Sequence, residues 1–297
     1  MQGLIIENIS NLYKIKTTQG TYEANARGKF KKEEIIPVVG DKVEIQILDE
    51  KNKKAVIEKI EDRTTYITRP KMSNITQIIL VLSSKNPKPD LLLLDKQLVL
   101  AEYLGIKAVI VLNKTDLDQK QEFKNIKDVY EKIGYIVIET VAKNEDNQLQ
   151  GIEKLKNVLK NNINAFSGNS GVGKSTLINA IFENQITQEG EISPKNKRGK
   201  NTTTSTKLYE IDSNTYIADT PGFFTFDINK IEYNNLDKYF KEFEPLIKNC
   251  EFVGCTHIKE QNCGIKKALE NEKIDKGRYE RYCRIYEELL EKNKLKY

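Results

Sequence analysis

The sequence predicts a multidomain protein: a small N-terminal β-barrel, a central α/β domain with helices over a mostly parallel sheet, and a helical C-terminal domain. Three changes of texture predict it. The first 66 residues hold five short segments rich in β-branched or alternating apolar residues, broken by Gly20, Gly28, Pro37 and Gly40. From Ile75 onward apolar strands alternate with amphipathic helical stretches, and after about residue 231 the chain turns charged and helical. The boundaries fall at 1–66, 67–231 and 232–297, which suits a chain of 297 residues, longer than one domain usually is.

In the first domain strands are expected over 3–7, 12–16, 21–26, 42–48 and 55–60. The second reads as a strand 77–82, a helix 91–104, a strand 108–112, a helix near 120–133, a strand 135–139 and a helix 151–159. A short apolar stretch at 164–166, a helix 176–182 and a strand 215–218 complete it, with SPKNKRGKNTTTST as a long mobile loop between the last two.

Composition sets limits. Hydrophobic content of 38% and charged content of 31% fit a soluble globular protein, and no apolar run approaches the ~20 residues that span a bilayer. The start has no basic stretch leading into an apolar one, so a secretory leader is not expected and a cytoplasmic location follows. A net charge of +5 is only weak support for a nucleic-acid partner. Four cysteines in such a chain argue against a disulfide framework and leave metal binding or ordinary burial.

Gly168-Asn169-Ser170-Gly171-Val172-Gly173-Lys174-Ser175 satisfies G-x-x-x-x-G-K-[ST] in full, with an apolar stretch before it and a helix pattern after it, beginning at Thr176. The glycines let successive N–H groups turn toward phosphates, and the helix directs its positive end there. Lys174 would contact the β and γ phosphates, and the Ser175 hydroxyl would ligate Mg²⁺. The base is named by Asn113-Lys114-Thr115-Asp116, directly after a strand. Asp116 can accept two hydrogen bonds from the ring N–H and exocyclic amine of guanine, which adenine does not present; Asn113 would brace neighbouring loops and the Lys114 stem would cover the base. The nucleotide is therefore GTP.

Asp219-Thr220-Pro221-Gly222 matches the D-x-x-G element, in which Asp219 holds magnesium through water and the Gly222 amide faces the γ-phosphate. Upstream, Arg198-Gly199-Lys200-Asn201-Thr202-Thr203-Thr204 supplies a threonine to the same ion; Thr203 is the candidate, although its neighbours offer the same hydroxyl. Phe223 stands where Ras-like enzymes place a water-orienting Gln, which predicts slow intrinsic turnover and an activating partner.

The order of these motifs is unusual. N-K-x-D at 113 precedes the phosphate loop at 168, the reverse of an ordinary GTPase, so the domain is circularly permuted. Val141-Ala142-Lys143 then fits the loop that closes the guanine pocket, with Val in place of Ser. The chain resembles, over nearly its whole length, the ribosome small-subunit-dependent GTPase A family (RsgA, also called YjeQ), circularly permuted GTPases of bacteria. NKTD, GNSGVGKS, RGKNTTT, DTPGF and a terminal Cys/His cluster carry the likeness, in that order. The resemblance implies GTP hydrolysis stimulated by the small ribosomal subunit during its late maturation. Asn201 stands where the family usually has His in that switch, so no role of that His is carried over.

Cys250-x4-Cys255-x-His257-x5-Cys263 gathers three thiols and the chain's one imidazole. Cys₃His is a tetrahedral zinc set, and four protein ligands make the site structural. Cys283 is left over and is expected to pack. The barrel resembles an OB-fold, a frequent nucleic-acid scaffold, and Arg27, Lys29, Phe30 and Lys31 lie in one of its loops. Ribosomal RNA suits that loop, which also reads as a solvated lysine-rich turn. Arg278, Arg281 and Arg284 on the C-terminal helix offer a second such face. The protein is expected to be a monomer without membrane attachment. The alternative is a GTP-dependent RNA-binding switch with negligible catalysis.

Overall fold

A computed structural model describes residues 1–28, 30, 35–68, 70–118, 121–142, 149–189, 206–219 and 228–295, without the side chains of 183–189 and Asp219. Most of the long loop expected from the sequence lies outside these residues, as do Lys29, Lys31, Lys143, Thr203 and Gly222. The strands are β1 (Gln2–Ile9), β2 (Leu12–Thr17), β3 (Gly20–Ala26), β4 (Lys42–Asp49), β5 (Lys54–Ile60), β6 (Tyr66–Thr68), β7 (Lys71–Ser73) and β8 (Gln77–Ser83), then β9 (Lys107–Asn113), β10 (Ile136–Thr140), β11 (Ile163–Ser167), β12 (Lys207–Asp212) and β13 (Thr215–Asp219). The helices are α1 (Leu91–Leu104), α2 (Glu122–Ile133), α3 (Ile152–Leu159), α4 (Lys174–Glu189), α5 (Glu244–Ile247), α6 (Gly264–Glu270) and α7 (Lys276–Lys294). No described helix is long and apolar enough to cross a membrane.

Two units divide the chain. The first comprises Met1–Ile79, Val141–Ser167 and Gly173–Phe224. Its first five strands follow the order β1-β2-β3-β5-β4 and close into a barrel when β4 pairs antiparallel with β1. Alternation decides what lies inside: Ile5, Tyr13, Ile15, Tyr22, Val43, Ile45 and Ile57 are buried. β1 and β2 run close at Gly3, where a Cβ would stand 2.5 Å from the Ile15 side chain and 2.8 Å from the Lys16 carbonyl. Buried Asp41 ties the barrel to the β6–β7 hairpin beyond it, accepting from Arg63 at 2.7 Å and from the Ser73 hydroxyl at 2.6 Å. That hairpin, which holds Ser73, was not legible, because three-residue strands show no period.

In the same unit β11 pairs parallel with β13, and β12 pairs antiparallel with β13. Asn164 is buried in β11; its amide donates to Leu159 O at 2.9 Å and Tyr216 O at 3.0 Å and accepts from Gln77 at 2.8 Å. A polar residue inside the sheet thus satisfies main-chain groups on its neighbours.

The second unit comprises Leu80–Thr140, Gly168–Val172 and Thr225–Tyr297. Parallel β9 and β10 lie beside β8, whose residues read as a continuous apolar run. Helix α1 starts at Asp90, whose side chain accepts from Leu93 N at 3.0 Å, and stops at Gly105 in the left-handed region. The C-terminal core packs Phe240, Phe243, Ile265 and Leu289 with Val99 of α1, and the Phe240 and Tyr282 rings meet edge to face at 5.0 Å.

The arginines of α7 correct one expectation. Arg278 shares an inward stripe with Tyr282, Ile285 and Leu289 and is fully buried, bonded to Asp95 of α1 and, at 2.7 Å, to Glu242. Arg281 binds the other oxygen of Asp95, and Tyr130 of α2 donates to the same carboxylate. Neither arginine forms a nucleic-acid face, because the helical period turns them toward a buried counter-charge. Phe30 is likewise buried, at 5% exposure, and presents no ring to a base. Asp95→Ala would take the shared carboxylate from buried Arg278, left with Glu242 alone, and from half-buried Arg281, and is expected to cost about 3–5 kcal/mol in urea unfolding; a loss under about 1 kcal/mol would show the network to be dispensable.

Candidate active site and metal centre

The phosphate loop joins β11 to α4 in the chain, and three of its glycines, Gly168, Gly171 and Gly173, have positive φ of 136°, 81° and 100°. At Gly168 a Cβ would lie 2.1 Å from the Val81 carbonyl, so the position admits only glycine. Helix α4 starts at Lys174 and runs on from Gly173, whose carbonyl accepts from Leu177 N at 2.9 Å. Ser170 and Ser175 are exposed, Asn169, Lys174 and Thr176 half-buried, and Val172 is buried. Burial pushes the Lys174 ammonium down to about 8. An anion alongside it would favour the charged form.

The end of β9 holds the first part of that loop. Asn113, buried at the strand's last position, donates its amide to Val172 O at 2.9 Å and accepts from the Thr140 hydroxyl at 3.1 Å. Lys114, with φ 62°, donates to Gly171 O at 2.8 Å and to Asn86 O at 2.9 Å. Ser84 donates to the Lys114 carbonyl at 2.6 Å. Asp116 follows in a short 3₁₀ turn, Thr115–Leu117, with its side chain exposed. Asn113 therefore braces the neighbouring loop as the sequence led us to expect, while Thr140, Ser84 and Asn86 were missed; their short-range context carries no signal. Asn169 reaches Asp90 at 3.4 Å.

Ala142 is buried, beside Val141, which exchanges hydrogen bonds of 3.1 and 3.0 Å with Gln150. Asp219 is the last residue of β13. Thr203, Gly222 and Lys143 lie outside the described residues.

Cys250, Cys255, His257 and Cys263 come together with all ligand atoms within 4.8 Å of one another. His257 Nδ1 is 3.6 Å from Cys250 Sγ and 3.3 Å from Cys263 Sγ, and those two sulfurs are 4.0 Å apart. A tetrahedral ion with bonds of about 2.0–2.3 Å needs ligand atoms about 3.3–3.8 Å apart, so the set could hold one metal ion once its wider spacings draw in. Burial pushes the Cys255 thiol up to about 12 and the Cys263 thiol in the same direction, so an arriving cation would displace protons. His257 turns its other nitrogen toward the Asp237 carboxylate at 3.5 Å, as metal-binding imidazoles do. Gly264 donates its N–H to Cys250 Sγ at 3.3 Å, and a Cβ there would stand 2.7 Å from Leu246 O. Cys283 packs against the core outside the cluster, as expected.

The model of the RsgA GTPase family matches residues 60–229, and that of the RsgA N-terminal domain matches residues 2–57. The chain belongs to the RsgA GTPase family. A relative from Alkaliphilus metalliredigens, named small ribosomal subunit biogenesis GTPase RsgA, is 40% identical over 288 residues, 97% of each chain. One of the same name from Clostridium perfringens is 42% identical over 290 residues, 98% of each. The crystal structure of YjeQ from Thermotoga maritima superposes with a TM-score of 0.83 at 35% identity, covering 97% of this chain and 98% of that one. YloQ, described as a circularly permuted GTPase, superposes with a TM-score of 0.81 at 30% identity, covering 98% and 95%. The chain is accordingly a GTP hydrolase built from a five-strand barrel, a circularly permuted GTPase domain and a C-terminal Cys/His cluster that could hold one metal ion.

Glu260 frames the loop of the Cys/His cluster. Its carboxylate accepts from the N–H and hydroxyl of Thr256, both at 2.8 Å, and from Ile258 N and Lys259 N, both at 3.1 Å. Burial opposes the charge, yet the Thr256 donors, its own N–H and that of Ile258 hold the carboxyl down to about 2. A carboxyl held low stabilises the fold fully above its unfolded value of 4.5 and loses that contribution as pH falls toward 2. Glu260→Gln is expected to cost about 1–2 kcal/mol at neutral pH, allowing for partial exposure. In thermal melts the gap from the parent should narrow below pH 4.5; a gap independent of pH would mean that the charge is not what matters.

Proposed function

We propose that this GTPase binds the small ribosomal subunit through its rRNA and hydrolyses GTP in a subunit-stimulated manner during late maturation of that subunit. The observation that carries the reading is the grip of Asn113 and Lys114 on the carbonyls of Val172 and Gly171, which joins a guanine-reading turn to a phosphate loop in a chain alike to named subunit-biogenesis GTPases. In this reading Asp116, Ala142 and Lys143 form the guanine pocket, and residues 168–176 cradle the phosphates with Lys174. Ser175, Thr203 and Asp219 hold Mg²⁺, which neutralises charge on the leaving phosphates when bound. The Gly222 amide faces the γ-phosphate, and no side chain of this set orients the attacking water, since Phe223 is apolar. The partner supplies that step, so the protein alone is slow.

The barrel, 1–66, is the RNA-binding domain, with Arg27, Lys29 and Lys31 as its remaining candidates; Arg27 pairs with Glu58 and is exposed. Residues 67–231 are the GTPase domain and 232–297 the zinc-binding domain. The protein acts in the cytoplasm as a monomer free of membranes.

Measured alone and with added small subunits at several salt concentrations, GTP turnover should be slow in isolation, rise with subunits and lose that rise as salt weakens the phosphate contacts. Turnover indifferent to subunits at every salt would leave only a binding switch. The cluster is expected to hold one structural zinc: metal analysis should find about one ion per chain, and Cys255→Ser should lower the melting temperature. Metal-free protein with an unchanged melt in the variant would refute it.

A further inference from the structure

Both segments proposed to sense the γ-phosphate are rooted in one hairpin. β12 begins shortly after Thr202, Thr203 and Thr204 in the chain, and β13 ends at Asp219. β12 is also where this sheet meets the barrel: it pairs antiparallel with β1 at the single register Glu7↔Lys207. With so little main-chain pairing, side chains carry the junction. Glu7, buried at 8% exposure, lies 2.7 Å from Lys14 of β2 and 3.3 Å from Lys207 of β12. Burial opposes its charge, and the two lysines hold its carboxyl below the usual range. A second pair, Lys16 of β2 with Glu210 of β12 at 2.6 Å, lies further along the same edge. Displacing β12 would either drag β1 with it or leave a buried carboxylate without half of its counter-charge.

We infer that Glu7, Lys16, Lys207 and Glu210 are positioning residues that clasp the root of the γ-phosphate switch to the barrel, so that a partner held by the barrel sets the rate of GTP hydrolysis through β12. This rests on the proposed function. None of the four is among the residues proposed to bind nucleotide or metal; their part is to make the barrel and β12 move as one body. The coupling is reciprocal in binding, so the bound nucleotide biases how firmly the barrel holds RNA.

The test is a charge exchange across the more exposed pair, with side chains 37% and 34% exposed, so that folding is spared. Lys16→Glu, Glu210→Lys and the double exchange are compared with the parent for unstimulated turnover, for affinity toward a fluorescent GTP analogue, and for turnover with small ribosomal subunits, after melts confirm that each is folded. Each single change should lower the subunit-stimulated kcat by about fivefold or more, leave the other two quantities within about twofold, and be rescued by the double exchange. Full stimulation in the single variants, or a double variant as poor as they are, would overturn the clasp. A parent that subunits fail to stimulate at all would instead remove the proposed function, and is seen separately in the control.

Discussion

One buried carboxylate, Asp95, holds the second unit together. Taking ions out of water costs several kcal/mol each, repaid only where counter-charges and hydrogen bonds are complete. Asp95 meets that condition with Arg278, Arg281 and Tyr130, while Glu242 completes Arg278. Burial alone would push the Arg278 guanidinium down; Asp95 and Glu242 hold it well above its ordinary value. The consequences spread along the two helices so joined. On α7, Tyr279 and Tyr282 donate to the carbonyls of His257 and Thr256 at 2.7 and 2.8 Å, so the helix that carries the arginines also carries the metal loop. α1 starts at Asp90, four residues after Asn86, whose carbonyl receives Lys114. The turn after β9 and the Cys/His loop are thus fastened to opposite ends of one electrostatic joint.

The permutation changes what the phosphate loop is attached to without changing its local chemistry. Glycines at positive φ, a helix starting at Lys174 and an asparagine holding a loop carbonyl are short-range devices, indifferent to where the chain begins. β12 and β13 form an antiparallel hairpin in which Lys207 lies opposite Asp219, and the outer strand, β12, pairs with β1 of the barrel.

Much of this was legible. The five barrel strands, α1 at 91–104 and β9 up to Asn113 all follow from period and punctuation, because each buries one face of a regular element. The Cys/His cluster was legible from spacing, since four donors so close in sequence can surround one ion with little help. Less was visible in β6, β7 and β12, too short or too mixed for a period, and nothing marked Asp237, Glu260 or Thr140 as supports.

The sequence by itself determined the family and the permuted order of its motifs, and it pointed to the nucleotide contacts and the Cys/His cluster, because each motif is written in residues only a few positions apart. Tertiary structure alone decided which charges are surface and which are joints. Arg278 and Arg281 look like an RNA face on a helical wheel until Asp95, far away in the chain, is found opposite them. Phe30 looks like a stacking ring until it is found buried. The physical reason is that the cost of burying a charge or the gain of burying a ring depends on what it meets inside, and those partners are brought by the fold from distant sequence.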